Sequence, residues 1–88
     1  MTQTPHEILA YPISTEKAVR EAEINNTLIF IVDKKATKKQ VKWAIEKAFN
    51  AKVEDVRTLI DMRGRKKAYI RLKPDTPAVE VTTQLGLV

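Results

Sequence analysis

The sequence predicts one α+β domain in which helices pack around a mostly antiparallel sheet, in the order β-α-β-α-β-β-α. Three observations carry this. The chain has 88 residues, enough for one core and too few for two, because a self-standing core needs roughly 50 residues at least and domains usually run to about 100 or more. Within residues 27–33 both alternating sets, Leu28-Phe30-Val32 and Ile29-Ile31, are apolar, the mark of a strand covered on both faces. After residue 53, apolar side chains recur at every second position on two segments flanking Arg63-Gly64, which reads as a β-hairpin.

Taken in order, residues 8–11 make a short first strand that Pro12 ends. Ser14 or Thr15 caps a helix running to about Glu23, with Glu16 in the first turn where the helix dipole favours an anion, and Asn25-Asn26 turns the chain. In the central strand Leu28, Phe30 and Val32 alternate with Ile29 and Ile31. Val41, Ala44, Ile45, Ala48 and Phe49 then draw one helical stripe behind Thr37 as N-cap. Trp43 falls nearly opposite that stripe, beside Lys39 and Lys47. It is expected to be exposed, as a contact for a base or a protein neighbour, unless another element covers it. In the hairpin, Val56, Thr58, Ile60 and Met62 share one face of the outgoing strand, and Ala68, Ile70 and Leu72 line the returning one. Pro74 ends it. Thr76 caps a last helix that Pro77 starts, running through Leu85 to a stop at Gly86.

Composition excludes several function classes. With 43% hydrophobic and 31% charged residues the chain has material for a core, and without cysteine it has neither a disulfide framework nor a thiolate metal site. The longest apolar run, residues 28–32, is far below the ~20 residues of a membrane span. The first residues lack a basic-then-apolar leader pattern, so a cytoplasmic protein is expected. His6 is the sole histidine and stands in a polar stretch between Pro5 and Glu7, a poor foundation for an imidazole-based site. Gly64 and Gly86 stand alone, which removes a glycine-rich phosphate loop. The adjacent carboxylates Glu54 and Asp55 point to opposite sides if the strand has begun there and otherwise make a polar turn. No enzyme, cofactor, metal or small-molecule substrate is expected.

Charge is informative through its distribution. The net charge is +5, yet residues 34–73 hold 14 basic side chains against four acidic ones, a net of +10, while residues 1–33 sum to −3. On the returning strand Lys67, Tyr69, Arg71 and Lys73 form the outward set, joined by Arg57 and Arg63 from the facing strand. The tip places Arg63, Arg65, Lys66 and Lys67 within five residues. Such density repels itself unless an anion is present, and a tyrosine among cations suits RNA, where the cations meet phosphates and the ring stacks on an unpaired base. A second patch, Lys34, Lys35, Lys38, Lys39 and Lys42, gathers at the start of the second long helix. Cations there oppose the helix dipole, a placement that makes sense beside phosphate, which the first-turn amides also attract.

Across nearly its whole length the chain resembles large ribosomal subunit protein twenty-three in its short archaeal-like form. The segments that carry the resemblance are residues 12–18 (PISTEKA), 30–38 (FIVDKKATK), 49–53 (FNAKV) and 64–72 (GRKKAYIRL). It implies α/β/α layers on a four-stranded antiparallel sheet in the order 1-2-4-3. It also implies a structural protein that binds large-subunit rRNA beside the polypeptide exit tunnel, next to other large-subunit proteins. The family's Thr-Glu-Lys motif matches Thr15, Glu16 and Lys17, which inherit a role in docking nascent-chain factors such as chaperones and the signal recognition particle. The family's usual Asn-Thr is Arg57-Thr58 here, and the hairpin is too short for a long tunnel-reaching loop. The RNA contacts expected are thus Lys34, Lys35, Lys38, Lys39, Lys42, Arg57, Arg63, Arg65, Lys66, Lys67 and Arg71 on phosphates, with Thr58 and Tyr69 adding local contacts. Two other readings stand beside this one. Residues 63–72 echo the aromatic strand of an RNA-recognition motif that reads single-stranded RNA, with Tyr69 as its one aromatic ring. Alternatively, Glu16 and the acidic first helix make a protein-interaction module.

Overall fold

The computed structural model describes residues 5–13 and 15–84. Its helices are α1 (Pro5–Ile8), α2 (Glu16–Ile24), α3 (Lys38–Phe49) and α4 (Ala78–Gln84), and its strands are β1 (Leu9–Pro12), β2 (Thr27–Val32), β3 (Val53–Ile60) and β4 (Lys66–Leu72). The strands form one sheet in the order β1-β2-β4-β3, with every neighbouring pair antiparallel. This is the expected α+β architecture, in the strand order that the family resemblance implies. The helical turn α1 is an element that periodicity did not predict. It takes Ile8 out of the first strand, which runs on to Pro12 instead. The side chain of His6, the Ser14 alternative to the Thr15 cap, and the helix stop at Leu85 and Gly86 lie outside the described residues.

All six residues of β2 are buried, as a segment apolar on both alternating sets requires. Its neighbour β4 alternates. Ala68, Ile70 and Leu72 are buried, standing level with Phe30 and Leu28 on β2 and with Thr58, Val56 and Val53 on β3. Since β3 pairs with β4 and not with β2, β3 runs parallel to β2 two places away, and α3 carries the chain back between them. The largest wholly buried side chains, Ile8, Val41, Ile45, Val53, Ile70 and Leu72, come from α1, α3, β3 and β4. Each contributes about 1.5–3 kcal/mol by leaving water.

Local chemistry sets the boundaries of α3. The Thr37 hydroxyl accepts the Gln40 N–H at 3.2 Å and the Gln40 Oε1 accepts the Thr37 N–H at 2.8 Å, a reciprocal capping box. Asn50 then closes the helix in the left-handed region at φ 52°. Val41, Ala44 and Ile45 are buried as the stripe predicts. Ala48 is exposed, because the last turn leaves the core through Phe49, which is half-buried with its ring 6.0 Å from that of Phe30. Trp43 is half-buried and packed against the core, with α1 lying against the same helix, so the expectation of an exposed tryptophan is corrected by the covering-element alternative.

Two further expectations change. Ile60 is 60% exposed and Met62 wholly so, although both fall on the Val56 parity. Ile60 stands opposite Lys66 at the tip end of the hairpin and Met62 sits in the turn itself, so the alternating pattern outruns the covered part of the sheet. The cap of α4 is also different. Thr76 does not cap it; its hydroxyl accepts the Lys52 N–H at 3.4 Å. The first-turn N–H of Ala78 donates instead to the Asn26 Oδ1 at 2.6 Å, a side chain 52 residues earlier.

Candidate nucleic-acid interface

The hairpin tip is built around one carboxylate. Asp61 Oδ1 accepts the backbone N–H groups of Arg63 and Arg65, both at 2.9 Å, and its Oδ2 accepts the Arg65 Nε–H at 2.9 Å. The Gly64 N–H donates to the Asp61 carbonyl at 3.0 Å, and Gly64 takes φ 77°, the left-handed step that closes a three-residue hairpin loop without a side-chain clash. Arg65 also donates to the Tyr11 hydroxyl at 3.1 Å, tying the tip to β1. Asp at the first position of a turn with Gly three residues later is a recognised turn signature. Asp61 is therefore legible in the sequence as the organiser of the turn, by its spacing from Gly64.

Strand order brings the two basic patches together. Val32, the last residue of β2, pairs with Lys66, the first of β4, so the loop leaving β2 lies beside the hairpin tip. That loop is turned by Asp33, whose carbonyl accepts the Ala36 N–H at 2.9 Å and whose Oδ1 accepts the Lys35 N–H at 3.1 Å. Lys66 Nζ donates to the Ala36 carbonyl at 2.6 Å, and Lys34 Nζ reaches to 3.8 Å from where a Cβ on Gly64 would stand. The loop that leads into α3 thus lies directly against the tip.

The expected contacts divide into groups. Lys34, Lys35, Lys38, Lys39, Lys42 and Arg63 are exposed, and among the described residues their side chains make no hydrogen bond or ion pair. Arg65 and Lys66 are half-buried and bonded internally as above, so their donors hold the tip to the body of the domain. Lys67, Tyr69 and Arg71 lie on the sheet face opposite Ala68 and Ile70. Arg57 stands directly across from Tyr69. Arg57 pairs with Asp55 and Arg71 with Glu54, each at 3.6 Å and exposed, contacts worth about 0–1 kcal/mol that an anion can displace. Thr58 stands opposite Ala68, so it does not share a face with Tyr69. At the start of α2, the Thr15 hydroxyl accepts the Ala18 N–H at 3.2 Å as N-cap. Glu16 is 86% exposed and 3.6 Å from Arg20, and Lys17 is exposed.

Asp61 is held below the ordinary carboxylate range, foremost by the Arg65 N–H and further by the Arg65 side chain and the Arg63 N–H, against an opposing push from burial. Arg65 is raised, first by its hydrogen bond to Tyr11 and then by Asp61. A depressed folded-state pKa gives a contribution that is complete above the unfolded value and lost as pH falls through the folded one. The tip should therefore keep its order throughout the neutral and mildly acidic range and loosen only in strong acid. Carboxyl NMR titration is expected to give Asp61 a midpoint below that of an unstructured aspartate, with the Arg63 and Arg65 amides shifting at the same midpoint. A midpoint at or above the unstructured value rejects this account of the turn.

Among the described residues no cluster of metal-ligating side chains occurs, and no helix is long and apolar enough to cross a membrane. The family model described as Ribosomal protein L23 matches residues 7–69. The matched span runs from the end of α1 to Tyr69 in β4, and it includes the Asp33 loop, the first turn of α3 and the whole hairpin tip.

Proposed function

The chain belongs to the ribosomal protein L23 family and is thus a large-subunit ribosomal protein, and from that premise we propose that it binds large-subunit rRNA near the polypeptide exit tunnel as a structural component with no catalytic role. The observation that supports this best is that the Asp33 loop, which leads into α3, lies against the hairpin tip, in a region where Lys34, Lys35, Lys38, Lys39 and Arg63 are all exposed. A continuous cationic surface is what phosphate recognition needs, and an anchored tip binds without first having to be ordered. The acidic N-terminal third would then face outward. Thr15, Glu16 and Lys17 on that side help to form a docking site for nascent-chain factors, the signal recognition particle among them, beside neighbouring large-subunit proteins. The setting is the cytoplasmic ribosome.

The test is a salt titration of binding to a large-subunit rRNA fragment, competed with unrelated structured RNA and with single-stranded RNA. The expected result is a preference of ~100-fold or more for the rRNA fragment and a slope of several released ions, near one per phosphate contact. Equal competition by single strands favours a sheet-surface reader, and failure to bind any RNA at low salt favours a protein-interaction module.

A further inference from the structure

Two hollows lie on the sheet face opposite Ala68 and Ile70, and they meet at Tyr69. One, of ≈ 420 Å³, is walled by Glu21 of α2, by its C-cap Asn25 and by Asp55, Arg57, Leu59 and Arg71 of the hairpin. The other, of ≈ 260 Å³, is walled by Tyr11, Lys17, Arg65 and Lys67. Tyr69 belongs to both, with Lys67 two residues before it and Arg71 two residues after it on the same face. Together they make an open trough between α2 and the hairpin, with the Tyr69 ring where they meet, Lys17, Arg65 and Lys67 at one end, and Arg57 and Arg71 beside Glu21 and Asp55 at the other.

We infer that this trough is a second RNA site, distinct from the cationic tip, and that it takes an unpaired segment of RNA with a base stacked on Tyr69. Charge and shape favour this occupant. Lys17 and Lys67 flank one hollow and Arg57 and Arg71 the other, positions suited to phosphates on either side of a stacked base. The acids that engage the two arginines are exposed partners at 3.6 Å, which phosphate can replace. On the α2 wall Asn25 donates to Glu21 at 3.1 Å, so an amide and a carboxylate stand together, the groups that hydrogen-bond to base edges. A duplex presents no free base to the ring, so an unpaired strand is the form the trough selects.

This inference rests on the RNA-binding reading above, and its test separates the two. The full chain is titrated with a single-stranded RNA decamer and with a duplex decamer, following backbone amides by NMR, and in parallel with the rRNA fragment. The decamer strand is expected to shift Ile29, Lys67, Tyr69, Arg71 and α2, which the duplex leaves unmoved, while Lys34 and Arg63 shift alike with strand and duplex. Tyr69→Leu should weaken it roughly tenfold to a hundredfold, with Tyr69→Phe near wild type, as stacking energies imply. Arg57→Ala, at a side chain 85% exposed, leaves the fold intact and should lower the salt slope by about one. Shifts confined to the tip, equal binding of the duplex, or indifference to both Tyr69→Leu and Arg57→Ala would overturn the inference. So would an acidic peptide that gives the same shifts at the same concentration. If the decamer fails while the rRNA fragment still binds, only the trough is lost; if neither binds, the RNA reading fails with it.

Discussion

Replacing Asn26 with alanine is expected to destabilise the fold by about 3–4 kcal/mol, a larger effect than most buried methyl deletions. Asn26 follows α2 with φ 53°, a conformation in which asparagine is tolerated and alanine is not. Its side-chain amide serves three carbonyls, those of Leu72 and Lys73 at 3.1 Å and of Thr76 at 3.0 Å, so one of its two N–H groups must be shared between two of them. Its Oδ1 accepts the Ala78 N–H at 2.6 Å, and its backbone carbonyl accepts the Leu72 N–H at 3.0 Å. One side chain thus joins the start of β2, the end of β4 and the first turn of α4. Alanine removes the side-chain bonds and leaves the Ala78 amide, on a residue with no exposed surface, without its acceptor. The loss should appear in a denaturation curve as a fall in midpoint of roughly 12–30 °C. Asn26→Gly separates the causes. It restores the left-handed backbone and should recover about 1 kcal/mol. Equal damage from both variants assigns the effect to the side chain, and a loss below about 0.5 kcal/mol in Asn26→Ala denies the hub altogether.

Asn26 also marks the limit of what the sequence made legible. Residues 27–33 were readable as central because apolarity on both alternating sets has few other solutions, and α3 was readable from its stripe and from Thr37. The Asn25-Asn26 pair was readable as a turn. That its amide would reach 46 to 52 residues along the chain was not, since no local pattern encodes a partner at that separation. The cation block was legible as an RNA surface in composition only. Arg65 and Lys66 looked equivalent to Arg63, yet hairpin register puts Arg65 on Asp61 and strand order puts Lys66 on the Ala36 carbonyl. Trp43 was misplaced for a related reason. A helical wheel finds the side opposite the main stripe, but not that α1 would fold back against α3.

Changing Lys34, Lys38, Lys39 and Arg63 together to alanine is expected to reduce affinity for a large-subunit rRNA fragment about a thousandfold at 0.1 M salt and to flatten the slope of log K against log salt by about 3 to 4. The choice of residues follows from the internal contacts. Lys66 and Arg65 are left in place, because removing them would unfasten the tip and mix folding with binding. The four altered side chains are exposed and make no hydrogen bond or ion pair among the described residues, so the unfolding free energy should stay within about 0.5 kcal/mol of the parent value. A second variant, with Arg20, Lys47, Lys52 and Lys73 changed to alanine, carries the same change in net charge away from the tip. At 0.1 M salt charges act over only about 10 Å, so a surface that touches phosphate must outweigh a distant one. The control should lower the slope by less than about one. If it loses as much affinity and slope as the first variant, the protein attracts RNA through net charge alone. The convergence of loop, helix and hairpin tip would then not be where the RNA is held.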